Sequence, residues 1–101
     1  MSKNFDDLLS KLKGIQRKKL AVAVAQDEPV LEAVKEANDK GIADAILVGN
    51  KEEISLIAKN IGMDLNKFEI VNIEEPKKAT LHAVELVSIG RADMLMKGLV
   101  D

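Results

Sequence analysis

The chain contains no cysteine, tryptophan or tyrosine, and two phenylalanines make aromatic residues only 2% of its 101 residues. The absence of cysteine excludes disulfides and thiolate metal sites, and a single histidine argues against zinc, so we predict no metal site. Because aromatic side chains are so few, stacking on nucleic-acid bases is not available on any scale. The core must therefore be built from aliphatic residues and methionine.

A strong net charge and long apolar runs are also missing. The net charge is -2, so we expect neither a nucleic-acid partner nor a membrane partner. No apolar run is long enough for a signal peptide or a membrane span, and we expect a cytoplasmic location by default. The basic residues between Lys11 and Lys19 indicate a solvated face and turn rather than a phosphate track. With 47% hydrophobic and 32% charged residues, residues 1–101 are predicted to form a single globular domain.

Helical and extended patterns alternate along the chain. Residues 4–13 place apolar side chains on one helical face. Four further runs are predicted to be strands, and three amphipathic helices separate them; the strands are residues 20–25, 45–48, 68–73 and 94–100. The order α-βαβαβαβ predicts an α/β fold, a three-layer αβα domain whose sheet of about four strands is mostly parallel. We expect the third strand near an edge of the sheet and the fourth strand to be buried.

Two segments of the chain share one pattern. Residues 41–49 and 90–98 each contain a helix-ending glycine, a turn with Ala-Asp, a strand and a closing glycine. Two αβ units with the same turn requirement explain the likeness better than duplication. The first segment has Val48 where the second has Lys97, and a lysine ending a buried strand is costly unless its ammonium reaches water or an anion. Because parallel sheets bind ligands beyond the carboxyl ends of their strands, Lys97 is the leading functional candidate.

The turn after the first predicted strand permits two interpretations. Asp27 is typical of a helix cap and Glu28 complements the helix dipole, whereas Gln26 and Asp27 together suit a polar ligand; capping is favoured. No glycine-rich dinucleotide turn, Walker sequence or nucleophile elbow is present, and His82 suits a surface or packing role. A response-regulator receiver would need an aspartate ending the third strand, where residues 72–74 read Asn-Ile-Glu.

The chain resembles the phosphotransacylase family, and within it the phosphate butyryltransferases. Three segments carry the resemblance: residues 19–49, 76–80 and 90–101, with Met-Lys-Gly-Leu at 96–99 pointing to the butyryl branch. The resemblance covers essentially the whole chain but only the first part of family members. It implies a two-domain enzyme in which this chain is the N-terminal domain and the second domain is absent.

The resemblance also implies the chemistry and the site. Family members move an acyl group between coenzyme A and inorganic phosphate, with the CoA thioester and phosphate as substrates, no permanently bound cofactor and a homo-oligomeric assembly. The family's serine-arginine and aspartate elements lie in the unmatched portion, so we expect no complete catalytic set and an inactive chain. Lys97 and Gly98, together with Gln26 and Asp27, match segments that border the substrate cleft, and Lys97 is expected to attract a phosphate group.

Two other functions remain open from the sequence. The chain would serve as a non-catalytic anion- or nucleotide-binding module if the strand ends alone bound a ligand. It would serve as a self-associating module if the edges of a four-stranded sheet were left uncovered.

Overall fold

A computed structural model of the protein describes residues 17–98, which form four strands and three helices. The strands are β1 (Lys18–Ala23), β2 (Ala43–Gly49), β3 (Glu69–Asn72) and β4 (Met94–Lys97). The helices are α1 (Glu28–Asp39), α2 (Lys51–Ile61) and α3 (Pro76–Ser88), and a short 3₁₀ turn covers Leu65–Lys67. The helix predicted over residues 4–13 and the end of the predicted fourth strand lie outside the described residues.

The strands form one sheet in the order β3-β2-β1-β4, and all three pairs are parallel. The chain moves from β1 outward to β3 and then returns past β1 to place β4 on its other side. Helices α1 and α2 cover one face of the sheet, and α3 covers the opposite face. The predicted three-layer parallel α/β fold is therefore confirmed, and the change of direction puts a topological switch point between β1 and β4.

Two aliphatic clusters form the core, one on each face of the sheet. On the α1–α2 face, Leu31 and Ile54 are fully buried against Val22 and Leu47 of the central strands. On the α3 face, small side chains allow the helix to lie close to β1 and β2; its buried contacts are Ala79, Ala83 and Leu86. Each fully buried Val, Leu or Ile side chain contributes about 1.5–3 kcal/mol relative to exposure.

Short polar side chains cap the first turns of α1 and α2. Asp27 precedes α1 and its Oδ1 accepts a hydrogen bond from the Val30 amide at 3.1 Å, which confirms the capping interpretation. Asn50 does the same for α2, where its Oδ1 accepts from the Glu53 amide at 3.0 Å. Capping satisfies amide groups that would otherwise have no intrahelical partner.

Two expectations about the strands were wrong. The first strand ends at Ala23 rather than at residue 25, because Val24 has a φ of 53° and leaves the extended conformation. The fourth strand is not buried: Met94 is 54% exposed and Leu95 is 39% exposed. The cause is the strand order, since β4 has β1 as its only neighbour among the described strands. The predicted edge position of the third strand is confirmed.

Candidate functional site

The two segments with a shared pattern become the two neighbours of β1, in the same register. Ala23 is paired with Val48 of β2 on one side and with Lys97 of β4 on the other. The closing glycines of the two segments, Gly49 and Gly98, therefore stand on opposite sides of the turn that follows β1. This turn, residues 24–27, lies at the carboxyl end of the sheet beside the switch point, where open parallel sheets bind ligands.

Both glycines lie so close to the turn that a side chain would collide with it. A Cβ atom on Gly98 would lie 2.5 Å from the Val24 carbonyl oxygen and 3.1 Å from Asp27 Cβ. A Cβ atom on Gly49 would overlap Gln26 Oε1 and would lie 2.9 Å from the Ala25 nitrogen. Glycine is required at both positions because backbone atoms approach there more closely than any Cβ allows.

Gln26 connects the turn to the start of α2. Its side chain is only 8% exposed, and its Oε1 accepts a hydrogen bond from the Asn50 amide at 3.1 Å. Burying an amide side chain without a partner is costly, so this bond accounts for a polar residue in the interior. The Gln26 side chain therefore links the end of β1 to the end of β2 through a hydrogen bond that requires no ligand.

Lys97 lies at the open side of the same end of the sheet. Its pairing partner Ala23 contributes to the core on the α3 face, and paired residues of parallel strands point to the same face. The exposed Lys97 side chain therefore leaves the sheet on the α3 side. The structure places Gly98 beside the turn that contains Gln26 and Asp27, and it places Lys97 at the end of the neighbouring strand β4.

The sequence analysis missed a polar groove at the ends of β2 and β3. The groove has a volume of about 500 Å³, and its lining residues are Asn50, Lys51, Glu52, Ser55, Asn72 and Glu74. Asn72 Oδ1 accepts a hydrogen bond from the Lys51 amide at 3.0 Å and so binds the first turn of α2. The available signal was the position of an asparagine at each of two strand ends. With two carboxylates against one lysine, the groove suits an anion less well than the Lys97 side does.

Within residues 17–98, no three His, Cys, Asp or Glu side chains are grouped so that they could hold a metal ion. No helix in this part is long and apolar enough to cross a membrane.

Comparison with solved structures identifies the fold. The EutD phosphotransacetylase from Staphylococcus aureus matches with a TM-score of 0.73, at 21% sequence identity, over 96% of this chain and 38% of that chain. At this identity the match shows that the architecture is shared. The same architecture thus occurs as part of a longer chain.

The sequence matches one protein family and several curated proteins. The family described as "Phosphate acetyl/butaryl transferase" matches residues 4–80. The phosphate butyryltransferases of Clostridium beijerinckii and Clostridium acetobutylicum are 68% and 63% identical over all 101 residues, which are 33% and 34% of those proteins. The phosphate acetyltransferase of Thermotoga maritima is 40% identical over 82% of this chain and 28% of its own length.

The chain spans about a third of the length of the curated relatives it matches. The family match nevertheless includes most of the chain, with β1 to β3, the turn after β1 and the start of α3. The chain therefore belongs to the phosphate acetyl/butaryl transferase family.

Proposed function

We propose that the chain is part of an acyltransferase of the phosphate butyryltransferase type, which converts acyl-CoA and inorganic phosphate to an acyl phosphate and CoA. One observation carries the proposal: the identity is 68% and 63% to butyryltransferases over the whole chain, against 40% to an acetyltransferase over a shorter stretch. In this reaction a phosphate oxygen bonds to the thioester carbonyl carbon, the C–S bond breaks and CoA leaves as the thiolate. The protein contributes orientation and oxyanion stabilisation, with no permanently bound cofactor.

The carboxyl end of the sheet is the proposed contribution of this chain to the substrate cleft. Lys97 would attract the phosphate substrate or a phosphate of CoA, because an ammonium group forms strong charge-assisted hydrogen bonds with phosphate oxygens. Gly98 would let the backbone approach the ligand, and Gln26 and Asp27 would form the adjoining wall. Their positions around the switch point support this assignment.

We propose that the described residues contribute only part of the catalytic set. His82 lies within α3, where its Nδ1 is 3.8 Å from Glu85 Oε1. Its helix packs across the face of the sheet, whereas Lys97 and the turn after β1 are at the carboxyl end. We therefore propose that acyl transfer requires further groups from the two thirds of the enzyme that this chain does not match, and that the complete enzyme is cytoplasmic.

A chimera tests this proposal. We expect the 101-residue chain alone to show no phosphate-dependent thiol release from butyryl-CoA. We expect activity from the Clostridium beijerinckii enzyme in which this chain replaces the segment that it matches, at a kcat/KM within about tenfold of the parent enzyme. At 68% identity most contacts with the remaining segment should be preserved. Thiol release is measured with a disulfide reagent, with and without phosphate.

The control is the same chimera without phosphate, which should release no thiol above the background hydrolysis of butyryl-CoA. A folded chimera without phosphate-dependent release would contradict the proposed function. Release by the 101-residue chain alone would instead show that the site is complete within it.

Self-association is a second candidate function, favoured by the edge of β4 that no other strand among residues 17–98 covers. Exposed strand edges pair readily with other strands, and Met94 and Leu95 add apolar surface there. We expect light scattering of the 101-residue chain to give a mass above that of one chain, rising with concentration. Replacing Leu95 with lysine should lower this mass, because charged residues on an edge oppose pairing. A monomer at all concentrations would contradict this candidate.

A further inference from the structure

Val24 has a backbone conformation that valine rarely adopts. Its φ of 53° lies in the left-handed region, and no other non-glycine residue between 17 and 98 has a positive φ. In this region the Cβ atom crowds the backbone, and a branched side chain makes the conformation rarer still. The Val24 side chain is only 2% exposed and packs into the core on the α3 face. Such strain persists only where the surroundings determine the conformation.

Hydrogen bonds on both sides of Val24 determine its conformation. Before it, the Ala23 carbonyl oxygen accepts from the Gly98 amide at 2.8 Å, which ties the chain to the end of β4. After it, the Ala25 amide donates to the Val48 carbonyl oxygen at 3.1 Å, which ties the chain to β2. The two neighbours of Val24 are thus bound to different strands, and the residue between them must turn the chain.

This conformation changes the direction of the side chains that follow. Ala23 and Val24 both belong to the core on the α3 face, whereas Ala25 belongs to the core on the α1–α2 face. In an uninterrupted strand, successive side chains would alternate. Val24 therefore acts like the additional residue of a β-bulge, which redirects the side chains that follow it. Gln26 then reaches the Asn50 amide and Asp27 reaches the Val30 amide.

We propose that Val24 is a positioning residue whose left-handed backbone fixes residues 26 and 27 relative to the end of β4, where Lys97 leaves the sheet. The part that concerns acyl transfer rests on the proposed function, whereas the conformational part rests on the geometry of the turn. Glycine at this position would remove the strain but would also allow the turn to take other conformations. Compared with alanine at this position, glycine should therefore give greater stability together with poorer positioning of the turn.

Melting temperatures of the 101-residue chain test the conformational part, with Val22 as the matched control. Both valines are buried, but Val22 lies within regular β1. We expect Val22→Gly to melt below Val22→Ala, because glycine weakens a strand. At position 24 we expect the reverse order, with Val24→Gly melting about 4 °C or more above Val24→Ala. The same order at both positions would overturn the proposal.

Amide hydrogen exchange of the same chain tests positioning without any assay of activity. The Asp27 amide donates to the Ala25 carbonyl oxygen at 2.8 Å within the turn. We expect this amide to exchange at least about tenfold faster in Val24→Gly than in Val24→Ala, despite the higher melting temperature of the glycine variant. Equal exchange rates would overturn the positioning role.

Kinetics of the chimera test the consequence for acyl transfer. We expect Val24→Gly to lower kcat about tenfold while KM for butyryl-CoA changes less than about twofold, and Val24→Ala to retain most of kcat. A merely structural role would rank the two variants by melting temperature instead, and that result would overturn the proposal. If the unaltered chimera is inactive, the proposed function fails, and hydrogen exchange still decides whether Val24 positions the turn.

Discussion

Replacing Gly98 with alanine is expected to destabilise the chain by about 2 kcal/mol, because overpacking a closely packed site costs about 1–3 kcal/mol. The new Cβ would lie 2.5 Å from the Val24 carbonyl oxygen, and a backbone atom cannot rotate away as a flexible side chain can. The Gly98 amide would have to retreat from the Ala23 carbonyl oxygen, to which it donates at 2.8 Å. In a thermal melt followed by circular dichroism we expect a decrease of about 10 °C.

The control for Gly98→Ala is an alanine at Gly62, where an added Cβ would meet no other part of the chain within 4 Å but φ is 71°. Gly62→Ala should cost about 1 kcal/mol through its backbone alone, and Gly62→Asn should recover part of this loss. At Gly98 asparagine should be no better than alanine, because the obstacle there is space. Unchanged melting of Gly98→Ala would show that Gly98 does not pack tightly against the turn after β1.

Replacing Lys97 with alanine is expected to lower kcat/KM of the chimera by tenfold to about a hundredfold, the range expected for one lost charge-assisted hydrogen bond. The Lys97 side chain is exposed at the end of β4, so its removal should leave the melting temperature within about 2 °C of the parent. If Lys97 binds phosphate, most of the loss should be an increase in KM for phosphate. Initial rates over a matrix of phosphate and butyryl-CoA concentrations measure this.

Two variants distinguish a contact from a general effect of charge. Lys59→Ala removes an exposed lysine from α2, which covers the opposite face of the sheet, and should leave kcat/KM unchanged. Lys97→Arg retains the positive charge and should recover part of the activity, although arginine differs in geometry from lysine. A kcat/KM of Lys97→Ala equal to that of the parent would remove Lys97 from the proposed site.

Local features of the fold could be predicted from the sequence because they depend on nearby residues. The alternation of apolar periods separates strands from helices, since burial on one face repeats every 3.6 residues in a helix and every two in a strand. Capping follows from a short polar side chain next to the first helical turn, as with Asp27 and Asn50. The pairing of the two patterned segments with β1 was not predicted, although both segments were recognised as alike.

The site was predictable only in part, because the surroundings of its residues depend on segments that are far apart in the chain. Lys97 stood out because a charge at a strand end is costly, but its exposure depends on how many strands flank β4. Gln26 looked like a ligand contact, and the structure shows its oxygen bound to the Asn50 amide, 24 residues away. The left-handed conformation of Val24 has no sequence signal, because the residue type that usually marks it is glycine.

The sequence by itself determined the α/β class, the aliphatic core and the cap of the first described helix, which are set by periodicity and local chemistry, and its resemblance to known proteins indicated the family. Only the tertiary structure decided that β4 lies beside β1, that Gly49 and Gly98 contact the same turn, and that Val24 bends it. These features arise from hydrogen bonds and close contacts between segments far apart in the chain. No local pattern records such contacts, because each depends on where the other segments pack.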